Sequence, residues 1–411
     1  ILPFLKYLMK DNTVENSITI YLLFLFSSVC SYLYSYKISM NNADQNKYLS
    51  TIFNTVTQIL VLILKVLILY LTKNYILFLS IDIASTLIKN FIFSKMMDKR
   101  YPYLREKVTE KLDKETKDSL YTNIKALFIG KIGYIISVSS DNLVISSRIS
   151  IKTVGLYSNY TTITSAVSGF VGIFISSISA SIGNLLAEES KEKVYDIYKT
   201  TEFINFWLYF FSSICIFCLA ETFISLWIGE QFIMGEGVVL LIVLNFFISG
   251  IMAPIDSVKC AAGLYKPDRY VTIIASIVNF IISMVLAKPL GISGVFIGTL
   301  VSTLLFSFWI KPVIVYKHIF KRGILEYFKR ILFQTSITFI MGAICLFIGE
   351  SLFFEHTILN LLCKLALCII IPNIIFISIY FKTDEFKYVY NVIVLLIKKF
   401  KNRNCGTLID I

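Results

Sequence analysis

Apolar residues run through this chain in eleven long stretches parted by short polar connectors, near 18–38, 49–72, 74–96, 125–147, 154–185, 201–226, 236–258, 269–288, 291–315, 331–349 and 357–381. A hydrocarbon layer of roughly 30 Å is crossed by about 20 apolar residues in a helix, and the stretches are of that order. The pattern predicts helix throughout. In lipid every backbone N–H and C=O must be paired within its own segment or in a closed barrel, and barrel strands would be shorter and would alternate apolar with polar. The expected fold class is an all-α integral membrane protein.

Composition agrees, with 56% hydrophobic residues, 16% charged and a mean hydropathy of +0.74, which excludes an ordinary soluble domain. The net charge of +12 would suit nucleic acid, but its distribution points elsewhere. Lys and Arg gather in alternate connectors: Lys37 and Lys47, then 95–125, 191–199, 259–269, 311–330, and the tail from Lys382 to Arg403. The opposite connectors hold only Lys10, Lys73, Arg148, Lys152 and Lys288. This is the positive-inside bias. It predicts a multi-pass protein of the cytoplasmic membrane with a cytosolic C-terminus and the 221–236 connector outside. The longest connector, 97–124, mixes Arg105, Glu106, Lys107, Glu110 and Lys111 and reads as a solvated cytosolic linker between two helix bundles.

Several chemistries are excluded. The chain has 8 Cys, and Cys215 and Cys218 form a C-x-x-C, but that pair lies inside an apolar span and reads as small core residues. His318 and His356 fall in different connectors, so no histidine metal cluster, no Ser-His-Asp set and no glycine-rich phosphate loop is expected. The expectation is therefore not an enzyme, and no cofactor. The chain opens Ile1-Leu2-Pro3-Phe4-Leu5, without Met and already apolar; that reads as the end of a membrane span whose upstream helices precede it.

Candidate chemistry lies among ionisable and amide residues inside the spans, where lipid penalises them. On 125–147, Lys131, Tyr134, Asp141 and Asn142 fall within about a 100° arc at roughly 100° per residue. A cation and an anion on one face imply either an internal ion pair or the wall of a wet cavity. Arg148 extends this stripe outward. Asn159 and Tyr160 stand near the entry of the next span, while Ser165, Ser168, Gly169 and Gly172 along it suit close helix packing. Lys65 shares a face with Asn54 and Gln58, and pairing with Asp82 on the adjacent helix is its structural alternative. Asp256 and Lys259 lie along one helix toward its cytosolic end, with Lys259 able to snorkel; Asn360 and Lys364 stand near the start of the last span.

Two runs, Ser140-Asp141-Asn142-Leu143-Val144-Ile145-Ser146 and Thr153-Val154-Gly155-Leu156-Tyr157-Ser158-Asn159-Tyr160, resemble the start of the second half of bacterial polysaccharide repeat-unit flippases. These are the Wzx type within the multidrug/oligosaccharidyl-lipid/polysaccharide exporter superfamily. Leu226-Trp227-Ile228-Gly229 resembles that half's outward loop, Ala262-Gly263-Leu264-Tyr265-Lys266-Pro267-Asp268-Arg269-Tyr270 its cytosolic turn, and Gly291-Ile292-Ser293-Gly294-Val295-Phe296-Ile297-Gly298-Thr299-Leu300 its helical hairpin.

The resemblance implies a fourteen-helix scheme, two bundles around a central cavity, with the first two helices absent here and 1–9 as the end of the third. It divides the chain into the remainder of the N-terminal bundle (1–96), the cytosolic linker (97–124), the C-terminal bundle (125–315), a cytosolic connector (316–330), the final helix pair (331–381) and a cytosolic tail (382–411). It implies a cargo of polyprenyl-pyrophosphate carrying an oligosaccharide, moved from the inner to the outer leaflet by alternating access for O-antigen or capsule synthesis. Membrane lipids, a polysaccharide polymerase and glycosyltransferases are the implied partners. In that scheme Lys131 and Arg148 meet the pyrophosphate, Asn142, Asn159 and Tyr160 bond sugar hydroxyls, Asp141 pairs Lys131 or binds a coupling cation, and Lys65 is a further candidate for the substrate cavity. Asp82, Asp256 and Lys259 are coupling or ion-pair candidates, and Asn360 and Lys364 border a groove for the tail. A cation-coupled multidrug exporter of the same superfamily is the alternative; deep acids should dominate its cavity, whereas here Asp82, Asp141 and Asp256 are matched by Lys65, Lys131 and Lys259. A membrane polysaccharide polymerase or ligase is a reading from another class and predicts a long outward loop with Arg and His.

Overall fold

The computed structural model describes residues 17–44, 46–106, 112–265, 267–352 and 357–406, and its regular structure among them is entirely helical. The expected span end at 1–9 and His356 lie outside the described residues. The chain divides into two compact units, 1–117 and 118–411. Eight helices are long and apolar enough to cross a membrane, or nine if one bent pair counts as a single span. Two further expected spans, 125–147 and 154–185, also lie on helices of sufficient length, and they border the cleft described below.

The first unit holds α1 (Ser17–Ser31), α2 (Ser35–Ala43), α3 (Lys47–Thr72) and α4 (Tyr75–Arg100). The expected single span 18–38 is broken: α1 and α2 meet at 46°, with Tyr34 in the left-handed region at φ 64°. Ser28 and Ser31 bond back to the carbonyls of Phe24 and Ser28, a habit that bends helices. The unit is fastened by polar contacts between helices. Asn90 donates to the Cys30 carbonyl at 3.0 Å, and Lys37 reaches Ser94 at 2.7 Å and Asp98 at 2.5 Å.

The second unit holds α5 (Lys114–Val144), α6 (Ile151–Glu188), α7 (Lys191–Ile228), α8 (Glu236–Ile251), α9 (Ala253–Ala261), α10 (Val271–Leu290), α11 (Ile292–Ser302), α12 (Phe308–Val315), α13 (Leu325–Leu352), α14 (Ile358–Tyr380) and α15 (Asp384–Gly406). Wider π turns at 303–307 and 316–320 flank α12, so 292–320 runs as one long rod around Pro312. Proline cannot donate to the helical ladder and crowds the preceding turn, and wider turns are one way a helix absorbs that.

The long helix α7 is the spine on which α6, α8, α13 and α14 pack. Its approach to α8 is close: a Cβ on Gly250 would stand 2.1 Å from the Tyr209 ring, and Asn205 donates to the Gly250 carbonyl at 3.0 Å. Three residues before Asn205 on α7, Glu202 is gripped by Arg330 of α13 with two bonds, Nε to Oε1 at 2.9 Å and Nη2 to Oε2 at 2.8 Å, and Arg330 also reaches the Tyr316 hydroxyl at 3.2 Å. Tyr198, Tyr316, Phe320 and Tyr327 close around this fork, each buried. The Glu202 side chain is only 4% exposed, so Glu202→Ala should strand Arg330 and cost about 3–5 kcal/mol, whereas Glu202→Leu with Arg330→Met should recover most of it. Thermal unfolding of the purified single and double variants checks this order.

Candidate functional site

The hairpin of α10 and α11 turns at Gly291, whose φ of 58° suits glycine. Gly294 and Gly298 then let the two helices touch: a Cβ at Gly294 would stand 2.3 Å from the Leu286 carbonyl, and one at Gly298 2.3 Å from the Ser283 hydroxyl. This contact lays Asn279 and Ser283, one turn apart on α10, beside Val295 and Thr299, one turn apart on α11. Ser283 donates to Asn279 Oδ1 at 2.9 Å and lies 3.2 Å from the Val295 carbonyl.

Asp141 of α5 completes the set. Asn279 Nδ2 donates to one carboxylate oxygen at 3.1 Å and Thr299 Oγ1 to the other at 2.9 Å. Helix α5 is held to α10 a few turns away by Ser276, whose hydroxyl donates to the Gly133 carbonyl at 2.7 Å. Among the described residues no cation pairs with Asp141. The expected Lys131–Asp141 pair is not made, because ten residues along a helix separate two positions by about 15 Å.

Asp141 and Asn142 form one edge of a cleft of about 610 Å³ within the second unit. One face of α6 supplies its wall of hydroxyls, Ser158, Thr161, Thr164, Ser165 and Ser168, and α8 adds Asn245 and Ser249. Tyr157, Tyr209, Phe246 and Phe296 provide the rings. Such a volume lies in the range of small-molecule sites.

The other sequence candidates fall elsewhere. Lys131 and Arg148 are exposed and do not line this cleft, and the side chain of Tyr134 lies outside the described ones. Asn159 bonds back to its own helix at the Gly155 carbonyl, 3.4 Å away. Tyr160 is buried, 1% exposed, and its hydroxyl accepts from the Met234 amide at 3.1 Å, so it packs in the core rather than facing the cleft. Lys65 and Asp82 form an ion pair at 2.7 Å in the first unit, with the ammonium 4.2 Å from the Phe78 ring centre. With Lys89 they line a separate hollow of about 270 Å³.

Asp256 and Lys259 do not match each other: Asp256 pairs with Lys311 at 2.7 Å, and Lys259 pairs with Asp268, both buried. Asp268 comes from the turn after α9, so Lys259 is held inward rather than snorkelling. The Asn360 amide is capped by Thr357 at 3.3 Å. Lys364 lines a small hollow with Glu350, Cys218, Cys345 and Cys368. Among the described residues, no three His, Cys, Asp or Glu side chains are grouped to hold a metal ion.

Sequence reasoning missed Asn279, Ser283 and Thr299, and it assigned Ser165 and Ser168 to helix packing. The available signal was the spacing of Ser158, Thr161, Ser165 and Ser168 by three and four, one face of a helix. Packing through Gly169 and Gly172 is not seen either, since a Cβ at either position would meet nothing within 4 Å.

Residues 1–180 match the model of a family described as polysaccharide biosynthesis protein. Among solved structures, a lipid II flippase, MurJ in an inward closed conformation, superposes with a TM-score of 0.62 at 15% identity, covering 92% of this chain and 77% of that one. The chain therefore shares the fold of that structure. No curated protein matches it.

The hairpin contact that builds the site is testable. Gly298→Val should force α10 from α11, cost about 1–3 kcal/mol through overpacking and lower the amount of folded protein in the membrane. Gly169→Ala, which meets open space, should leave that amount unchanged.

Proposed function

We propose that the protein flips a polyprenyl-diphosphate-linked oligosaccharide repeat unit from the inner to the outer leaflet of the cytoplasmic membrane, by alternating access, for surface polysaccharide synthesis of the O-antigen or capsule kind. It acts as a transporter and not as an enzyme. The observation that carries this reading is the cleft beside Asp141, whose hydroxyls, amides and rings suit a saccharide, in a chain of lipid-flippase fold. The family match over 1–180 supports the same process, and the superposed structure is itself that of a lipid II flippase. The alternation of basic connectors supports a cytosolic C-terminus. Glycosyltransferases would supply the cargo and a polymerase would consume it.

A coupling cation fits the same region. The Asp141 carboxylate, the Asn279 amide oxygen, the Ser283 and Thr299 hydroxyls and the Val295 carbonyl lie in one hydrogen-bonded group. One negative charge among neutral oxygens suits a hard monovalent ion. The multidrug alternative loses support from the acids, since Asp82 and Asp256 are both held by lysines.

Two measurements test the reading. In a strain lacking its repeat-unit flippase, the whole protein should restore surface polysaccharide, and persistent absence of the polymer with the protein present in the membrane would refute the function. Sodium or potassium should raise the unfolding temperature of the purified protein, since a ligand of the native state stabilises it, and Asp141→Asn should remove that rise. An equal rise in the variant would place the cation elsewhere.

A further inference from the structure

The four rings of the cleft stand as two pairs. Tyr157 of α6 and Phe296 of α11 have centroids 4.8 Å apart, and Tyr209 of α7 and Phe246 of α8 have centroids 4.9 Å apart. The same cleft is lined by the hydroxyls of α6 and by Asn142 and Asn245, the Asn245 amide nitrogen donating to the Leu241 and Phe296 carbonyls. Sugars present this same mixture: C–H faces that lie against aromatic rings, and hydroxyl edges that both donate and accept.

Charge narrows the choice of sugar. Among the described residues, Asp141 is the only charged side chain that lines the cleft, and no Lys, Arg or His joins it. A carboxylated sugar entering here would shed water from its anion and gain no cation in return, which is costly. It would also bring a second negative charge near the first, which disfavours ionisation of both. A monovalent ion held at Asp141 would make the wall neutral and no more, so the absence of a cationic partner remains. The same reasoning keeps a diphosphate out of this cleft, although the family resemblance led to the expectation of a cationic one.

Resting on the flippase reading, we propose that the cleft of the second unit is a saccharide subsite selective for repeat units whose sugars are neutral or amino-bearing, and that it discriminates against uronic acids, with the diphosphate bound outside it. An amino sugar gains from Asp141, and a neutral one uses rings and hydroxyls alone.

The test uses the whole protein in lipid nanodiscs and three probes: farnesyl diphosphate, farnesyl diphosphate carrying two N-acetylglucosamines, and the same conjugate with glucuronic acid as the second sugar. The neutral conjugate should bind at least tenfold more tightly than either of the others. Ser165→Lys sets a cation in the cleft at an exposed position where the fold does not depend on the side chain, and it should raise affinity for the acidic conjugate about tenfold. Equal binding of the three probes, or tighter binding of the acidic conjugate by the unaltered protein, would overturn the inference and leave the flippase reading standing. Failure of all three to bind would refute the flippase reading itself. An acidic conjugate indifferent to Ser165→Lys would show that this cleft does not hold the sugar.

Discussion

A polar group among apolar helices must find its partner inside the protein, and the architecture follows from where those partners are. Helix α7 is fixed to α13 by the fork of Arg330 on Glu202 and to α8 by Asn205 on the Gly250 carbonyl. Helix α5 is fixed to the α10–α11 hairpin by Asp141, Asn279 and Thr299. Apolar contacts alone would leave such helices free to slide, because lipid tails compete for the same surfaces. Hydrogen bonds between particular atoms set the register.

The same requirement explains how the ionisable residues divide. Asp82, Asp256, Asp268 and Glu202 each face a cation, and each pair joins segments distant in sequence or a helix to its following turn. Asp141 is bonded instead to an amide and a hydroxyl. Neutral donors hold a carboxylate without cancelling its charge, so this site keeps a negative potential next to a cleft large enough for a ligand. A structural ion pair and a binding group are thus told apart by the partner's charge rather than by burial.

The hydroxyl face of α6 has a related logic. Ser158 and Thr164 bond back to carbonyls of their own helix, at 2.7 and 3.3 Å, which satisfies the donor and leaves oxygen lone pairs toward the cleft. Such a wall is wet without being charged, a suitable lining for a passenger rich in hydroxyls.

The sequence by itself determined the fold class and the helical segments, because a bilayer allows so few backbone states that 20 apolar residues in a row leave only one. It also marked Asp141 and Asn142 as a polar position inside a span, and the order of short motifs from 140 to 310 carried the resemblance to the flippases. It did not determine partners. Lys131 and Asp141 share a helix face by periodicity, yet lie too far apart along it to meet, and Asp256 and Lys259 sit three apart yet each pairs with a residue of another segment. Asn279 and Thr299 went unmarked as polar residues in apolar spans, and they meet because Gly294 and Gly298 let α10 lie against α11. Only the tertiary structure decided these, since a pairing depends on which helices touch and at what height, and periodicity along one helix reports the face but neither the neighbour nor the depth.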